Sequence, residues 1–426
     1  MNQELYDILK IQSKNEWKVP ILNTSHFVSL TKKYSKEEFR KTLAKYITEE
    51  KPPFPIKKFD QNKVLKTFRK LQKADWVNYV TLYQNDRVLE KYDDYKYPYS
   101  EYGLGLIETS GIFNYCSDSF MYDLRMKCNS YGFKAPIPRW NEGDNIWGVL
   151  GPLWRGVNDT KELSHKQYVM AFRLGCYIAT QFKPIVAKTI YEMTNAKTVL
   201  DTSMGWGDRL TGFYASNATH YIGCDPNPET FERYKKMKEY FDKVTVGKTV
   251  QMYNCGAEDL PWDEIENVDC AFTSPPYFST ERYNEGGEKE ELQSWAKFNE
   301  YEAWRDEFYL PVAQNSFNSL SDNGFLLVNI LDPKVKGKRY RSGDELVDML
   351  LPNFIGQVGM RIAQRPQGAS VFKDEKGNFD KKAMDEFMNK IYIENIWCFA
   401  KDKSIDMFEK ARMGTLEAFI KPYKGN

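Results

Sequence analysis

From residue 165 to about 400 the chain alternates short β-branched or apolar runs with amphipathic stretches of helical spacing, and few folds satisfy that alternation. When each strand is followed by a helix, the next strand returns in the same direction and pairs in parallel. A parallel sheet must then be covered by helices on both faces. Helices are expected over HKQYVMAFRLGCYIATQF and KPIVAKTIYEM, then a strand TVLD (198–201), a turn TSMGWG, a helix DRLTGFYAS and a strand HYIGCD ending at Asp225. The helix ETFERYKKMKEYF, a third strand TVQMYNCGAED, a fourth strand VDCAFTS ending at Ser274, the long helix EYEAWRDEFYLPVAQNSFNSL and a fifth strand GFLLVNIL come next. DELVDMLLPNF and YIENIWCFAKD supply a last helix and strand, and RPQGASVFKDEKGNFDKKAMDEFMNK between them reads as an insertion. The expected fold is therefore α/β, a doubly wound Rossmann-like sheet over 165–405, with a tail at 406–426.

The front of the chain has a different character. Residues 1–90 read as helical, with Ser35 three residues before Glu38 in the spacing of a capping box, and Val64, Leu65, Phe68 and Leu71 recurring between Lys and Arg. The formal net charge is only +1, yet residues 1–90 hold 18 basic and 11 acidic side chains, or +7, which leaves −6 for the rest. Such an asymmetry suits nucleic acid, and a solvated lysine-rich surface is its blander cause. Residues 91–164 are aromatic and glycine-rich, beginning KYDDYKYPYSEYG. Rings beside cations can stack on unpaired bases, although a packed core with Tyr at its rim is the commoner arrangement.

Several classes are excluded. At 42% hydrophobic and 28% charged the composition fits neither low-complexity disorder, nor collagen, nor a coiled-coil rod. No apolar run approaches a membrane span, so no membrane partner is expected. MNQELYDILK carries acids where a secretory leader is basic and then apolar, so a cytoplasmic location, in a prokaryote or an infected host cell, is expected. Seven Cys without a CxxC pair read as reduced thiols, and three His leave little for a metal site or a His-based triad.

Chemistry is expected at the strand ends. Gly205 and Gly207, in the turn after Asp201, allow a ligand close to the backbone, and the absence of a third Gly or of GK[ST] disfavours NAD and ATP. Asp225 lies eighteen residues after Gly207, where a carboxylate can accept the hydroxyls of an adenosyl ribose, with Pro226 beside it. Glu258 or Asp259, after the third strand, could take an adenine amino group. Ser274-Pro275-Pro276-Tyr277 comes directly after an apolar strand. Two prolines remove two N–H donors and stiffen the loop, so its carbonyls and the Ser274 hydroxyl can accept from a planar NH2 while Tyr277 holds the ring.

With these residues in this order the chain resembles the DNA amino-methyltransferases, which move a methyl from S-adenosylmethionine to an exocyclic nitrogen of cytosine or adenine. DTSMGWG (201–207) resembles their first motif, placing Asp201, Ser203, Gly205, Trp206 and Gly207 at the cofactor. Asp225 corresponds to the ribose acid, Glu258 or Asp259 to the adenine-side acid, and SPPY (274–277) to the catalytic motif. QFKPIVAKT (181–189) resembles the segment over the methionine end, which puts Phe182 there. The resemblance runs from 181 to about 402 and implies a class I sheet of seven strands with an antiparallel hairpin at one edge, GMRIAQ and YIENIWCFAKD. One departure is Ser203, where the family usually has an aromatic residue, with Trp206 as a possible substitute. The resemblance further implies S-adenosyl-L-methionine as cofactor and duplex DNA with a flipped base as substrate. Ser in the first place of SPPY favours cytosine N4 over adenine N6. RNA, a protein glutamine amide and a catalytically silent DNA-binding subunit are the alternatives; the basic front favours nucleic acid. Target recognition falls by elimination to 1–160, and PKVKGKRYRSG (333–343) is a basic loop beside the site.

Overall fold

Among the described residues of the computed structural model, which are 2–82, 88–89, 94–130, 132–142, 150–154, 161–280, 282–287, 289–362 and 371–413, twelve strands form. They are β1 (Val80–Thr81), β2 (Val88–Leu89), β3 (Gly103–Ile107), β4 (Thr198–Asp201), β5 (His220–Cys224), β6 (Thr249–Tyr253), β7 (Val268–Thr273), β8 (Leu320–Asn329), β9 (Lys334–Val335), β10 (Lys338–Arg339), β11 (Phe354–Ile362) and β12 (Ile391–Ala400). Ten make one sheet in the order β1-β3-β11-β12-β8-β7-β4-β5-β6, with β2 paired to the start of β12. The run β6-β5-β4-β7-β8 is parallel throughout, as the strand–helix alternation requires. β12 lies antiparallel between β8 and β11. From β4 the chain winds outward through β5 and β6, then crosses to β7 and β8 on the other side. Right-handed crossovers therefore place the two sets of helices on opposite faces, and the sheet is doubly wound and Rossmann-like.

The expected seven strands, β4 to β8 with β11 and β12, are present, but they do not end the sheet. β3 pairs in parallel with β11, and β1 pairs with β3. Glycine makes this possible: a Cβ on Gly356 (φ +130°) would lie 2.5 Å from the Tyr102 carbonyl oxygen, and one on Gly105 would lie 2.9 Å from that of Thr81. β11 also begins five residues before GMRIAQ, because the helix Ser342–Met349 ends ahead of Pro352 and Phe354 is already extended.

The chain divides into two compact units, one of residues 1–61, 119–180 and 282–290, the other of 62–118, 181–281 and 291–426. Divisions at 90 and 164, which composition suggested, are not where the structure separates. In the first unit the helices Gln3–Gln12, Thr24–Lys33, Lys36–Glu50, Pro136–Trp140 and His165–Gly175 enclose Leu5, Phe39, Leu43, Trp140, Tyr168 and Phe172. Ser35 caps its helix by accepting from the Glu38 N–H at 3.2 Å. The Trp140 ring meets Phe172 at 5.4 Å and donates its indole N–H to the Pro52 carbonyl, so the helices Pro136–Trp140 and His165–Gly175 share a core with the N-terminal residues of this unit.

In the second unit Tyr95, Tyr97 and Tyr99 are buried and cannot stack on bases, whereas Tyr102 of the same run is exposed and Tyr92 lies outside the described residues. Two backbone N–H groups, of Lys96 and Tyr97, donate to Asp344 and tie this segment to the helix Ser342–Met349. The helix Gln61–Lys73 buries Val64, Phe68 and Leu71, with Phe68 against Phe241 of the helix Pro228–Asp242. Residues 363–370 of the insertion and 414–426 of the tail lie outside the described residues. Among the described residues no helix is long and apolar enough to cross a membrane.

Directly before the sheet, the helix Pro184–Met193 packs against the helix Asp208–Ala215 at Gly212. A Cβ there would lie 2.7 Å from both the Ala187 Cβ and the Pro184 carbonyl oxygen. Gly212→Ala is expected to cost about 1–3 kcal/mol by overpacking, despite the better helix propensity of alanine. Urea unfolding checks this: the midpoint should fall while the slope stays constant.

Candidate active site

In a doubly wound sheet, ligands bind beyond the carboxyl ends of the strands where the winding reverses. Here that point lies between β4 and β7. The turn after β4 passes through Gly205 (φ +56°) and Gly207 (φ +73°), both left-handed, and Gly207 is the N-cap of the helix Asp208–Ala215. The turn is fastened to the end of β5 by the Met204 N–H to the Cys224 carbonyl at 3.0 Å and the Gly205 N–H to Asp225 Oδ2 at 3.2 Å.

Asp225 stands half-buried at that end. It also accepts from the Asn227 N–H (2.9 Å), Thr230 Oγ1 (3.0 Å) and the Tyr234 hydroxyl (3.0 Å). Burial pushes its carboxyl up to about 6, and these donors oppose the shift without cancelling it. Pro226, next in the chain, and Trp206, next to Gly205, are half-buried. Thr230 and Tyr234, which orient this acid from the next helix, were not anticipated; their signal was their spacing five and nine residues on, about one helical turn apart on the same face.

Asp201 plays a different part from the one expected of it. It is wholly buried and accepts from Arg209 Nε at 3.0 Å, the Tyr221 hydroxyl at 2.6 Å and the Ser203 N–H at 3.2 Å. The carboxylate is an internal strut with no face toward a ligand. Arg209 also donates to the Ser203 carbonyl, and its guanidinium lies 5.5 Å from the ring centroid of Phe182. Phe182 itself precedes the helix, which starts at Pro184, and the preceding helix stops at Gly175; the stretch between has no regular secondary structure, not the helix expected. Its ring packs edge-on to Phe272 at 5.6 Å. Ser203 joins the two halves of the site, donating from Oγ to the Ser274 carbonyl at 2.9 Å and sharing a hydrogen bond with Thr273 Oγ1 at 2.8 Å.

After β6, Glu258 Oε1 pairs with Lys297, while its buried Oε2 accepts no hydrogen bond among the described residues. Asp259 is exposed, 3.4 Å from the same ammonium. Of the two acids only Glu258 holds an open buried acceptor.

The SPPY loop leaves β7 with Ser274, Pro276 and Tyr277 half-buried and Pro275 buried. The Pro276 carbonyl accepts from the Phe278 N–H at 2.8 Å and the Tyr277 carbonyl from the Thr280 N–H at 3.0 Å, whereas the Pro275 carbonyl has no partner among the described residues. Ser274 Oγ lies 3.4 Å from Asn329 Oδ1, and the Tyr277 hydroxyl 3.3 Å from the same oxygen. Asn329, buried at the end of β8, donates from Nδ2 to the Asn395 carbonyl at 3.1 Å, which fixes which way its amide faces. The two hydroxyls also lie 3.4 Å from each other, and with Asn329 Oδ1 as acceptor the Ser274 hydroxyl can give up its hydrogen and keep a lone pair for an incoming donor. Asn329 was not foreseen; its signal was a lone polar residue inside the apolar run GFLLVNIL.

No family model matches the chain, and no curated protein matches it. Among solved structures it is similar to a methyltransferase from Geobacter sulfurreducens, at 10% identity with a TM-score of 0.29 over 52% of this chain and 79% of that one. An rRNA methylase from Streptococcus thermophilus gives 11% identity and a TM-score of 0.30 over 52% of this chain and 99% of that one. The N-terminal domain of EvdMO1 with SAH bound gives 8% and 0.30 over 52% and 82%. These likenesses are slight, and the chemistry of the site rests on sheet order and side-chain geometry.

If Asp201 is a strut, removing its partner leaves a buried charge unpaired. Arg209→Ala is expected to destabilise this unit by about 3–5 kcal/mol, seen as a lowered unfolding midpoint. An unchanged midpoint would return Asp201 to the ligand side of the site.

Proposed function

We propose that this protein transfers a methyl group from S-adenosylmethionine to the exocyclic amino nitrogen of a base flipped out of duplex DNA, cytosine N4 ahead of adenine N6. The observation that supports the reading is the acceptor cluster beyond β7 and β8: a Pro275 carbonyl with no partner among the described residues, beside a Ser274 hydroxyl 3.4 Å from the acceptor Asn329 Oδ1.

The residues present fit the cofactor. A left-handed turn at Gly205 and Gly207 leaves backbone open to a ligand, Asp225 offers a carboxylate to a ribose diol, and Glu258 Oε2 is a buried acceptor suited to an adenine amino group. When bound, S-adenosylmethionine supplies an electrophilic methyl on a sulfonium. The protein's part is to prepare the nucleophile. An aromatic amine has its lone pair delocalised into the ring, and two acceptors on its hydrogens favour a more tetrahedral nitrogen whose lone pair can attack. Ser274 Oγ and the Pro275 carbonyl are those acceptors, Tyr277 holds the ring, and the nitrogen's surplus proton leaves to water. Flipping the base costs a few kcal/mol and delivers it to this depth. The lean to cytosine rests on Ser274, since the adenine enzymes the chain resembles carry Asp or Asn there. The basic residues of 1–90 complete the proposal as part of the electrostatic attraction to DNA.

Product analysis of digested DNA after incubation with labelled cofactor tests the reading. N4-methylcytosine is expected, N6-methyladenine would move the base, and a methyl on cytosine carbon 5 would overturn the mechanism because SPPY holds no Cys nucleophile. Tyr277→Ala should lower turnover about 10- to 100-fold, a loss of roughly 1–3 kcal/mol of stacking, while cofactor affinity by calorimetry stays near wild type.

The cofactor pocket should also sense pH. Asp225 takes up a proton as pH falls through about 6, and a neutral carboxyl is a poorer acceptor for two ribose hydroxyls. Affinity for S-adenosylhomocysteine should therefore be flat above pH 7 and fall by up to about tenfold per unit below 6. Asp225→Asn should bind weakly at every pH and lose the dependence.

A further inference from the structure

The segment after β8 carries a feature that methyl transfer does not use. Five basic residues and no acidic one occupy 333–343, and six of its residues form a two-stranded ribbon, with Val335 opposite Lys338 and Lys334 opposite Arg339. Lys336 (φ +49°) and Gly337 (φ +83°) make the connection. Positive φ at both central residues is the hairpin geometry that Asn-Gly or Gly-Gly enters most easily, so a lysine stands at the tip against conformational preference. Like charges directly opposite each other, as Lys334 and Arg339 are, also oppose pairing.

The root of the ribbon offsets these costs. Buried Asp332 accepts from Arg339 Nε at 3.0 Å and from the Gly343 N–H at 3.3 Å, and lies 3.6 Å from Arg341. Asp94 pairs with both arginines. The two arginines are thus internally neutralised, and the lysines are not. Lys334, Lys336 and Lys338 are exposed. Lys334 and Lys336 have no carboxylate within ion-pair distance among the described residues, and Lys338 reaches only Glu302, at 3.9 Å, while lying 4.4 Å over the Tyr340 ring. Solvation alone needs neither a strained lysine turn nor a two-aspartate brace.

The ribbon is also fixed to the catalytic loop. Tyr340 stacks on Tyr301 at 4.0 Å and meets Phe278, the residue after SPPY, at 6.1 Å. β9 packs against the turn Phe278–Thr280. We propose that this ribbon is a phosphate clamp, its three lysines gripping the backbone of the duplex whose base enters the SPPY site. The role rests on the reading of the preceding subsection. It places part of the substrate contact within the sheet-bearing unit, outside residues 1–160.

Binding of a fluorescently labelled DNA duplex by the full chain, measured by anisotropy across a salt series, tests the clamp. The triple variant Lys334→Ala, Lys336→Ala, Lys338→Ala should bind at least about tenfold more weakly near 0.1 M salt. The slope of log affinity against log salt should be shallower by about 2 to 3, since each phosphate contact contributes about 0.9. S-adenosylhomocysteine affinity and the unfolding midpoint should not change, and replacing the same three lysines by Arg should restore the slope. If the wild type binds duplex and the alanine variant shows the same affinity and slope, the clamp is wrong and the methyltransferase reading stands. If the wild type binds the cofactor and no duplex at any salt, the DNA reading fails and the clamp with it.

Discussion

The site depends on one buried ion pair. Asp201 closes β4, Arg209 stands in the first turns of the next helix, and their contact at 3.0 Å is wholly shielded from water. Around it gather the Tyr221 hydroxyl from β5, the Ser203 N–H and the Ser203 carbonyl. A buried pair of this kind contributes little net stability, because desolvation cancels most of the attraction, but breaking it is expensive. Its value is positional. The glycine turn can take only one path between β4 and its helix, and Ser203 is thereby aimed at the Ser274 carbonyl across the switch point. Glycine turn and SPPY loop are thus set by one network.

Much of the sheet was legible because parallel strands buried on both faces have to be short apolar runs, as in TVLD, HYIGC and VDCAFT. The glycine turn, Asp225 and SPPY were legible because backbone freedom, acid and proline each leave a mark in sequence at a fixed distance from a strand end. The extra strands were not. GLGLI is glycine-diluted and lies among tyrosines, and its partner β11 is about 250 residues away, so no local period announces the pairing. Nor could periodicity show that Asp201 faces inward: an acid at a strand end reads the same whether a ligand or an arginine satisfies it. Only the position of Arg209 one helical turn beyond Gly205, on the inner side of the helix, decides that.

β8 shows how a single strand end serves two tasks. Asn329 at its last position orients Ser274 and Tyr277, and Asp332 three residues on braces the arginines of the basic ribbon. The chain between them is buried. The two are therefore joined by a packed segment and not by an exposed loop.

The orientation of Asn329 also bears on why a serine, not an acid, precedes the two prolines. Nδ2 is held by the Asn395 carbonyl, so it is the amide oxygen that faces position 274. A hydroxyl there can donate to that oxygen and still keep a lone pair as an acceptor. A carboxylate in the same place would set two acceptors against each other with no proton between them, unless the amide turned and left the buried Asn395 carbonyl without its donor, a loss of about 1–3 kcal/mol. Serine and the fixed asparagine are thus matched. Under the proposed reading the acceptor set stays neutral, and the pull on an amine would come from lone-pair placement beside a partner that cannot turn, in place of the stronger pull of a full negative charge.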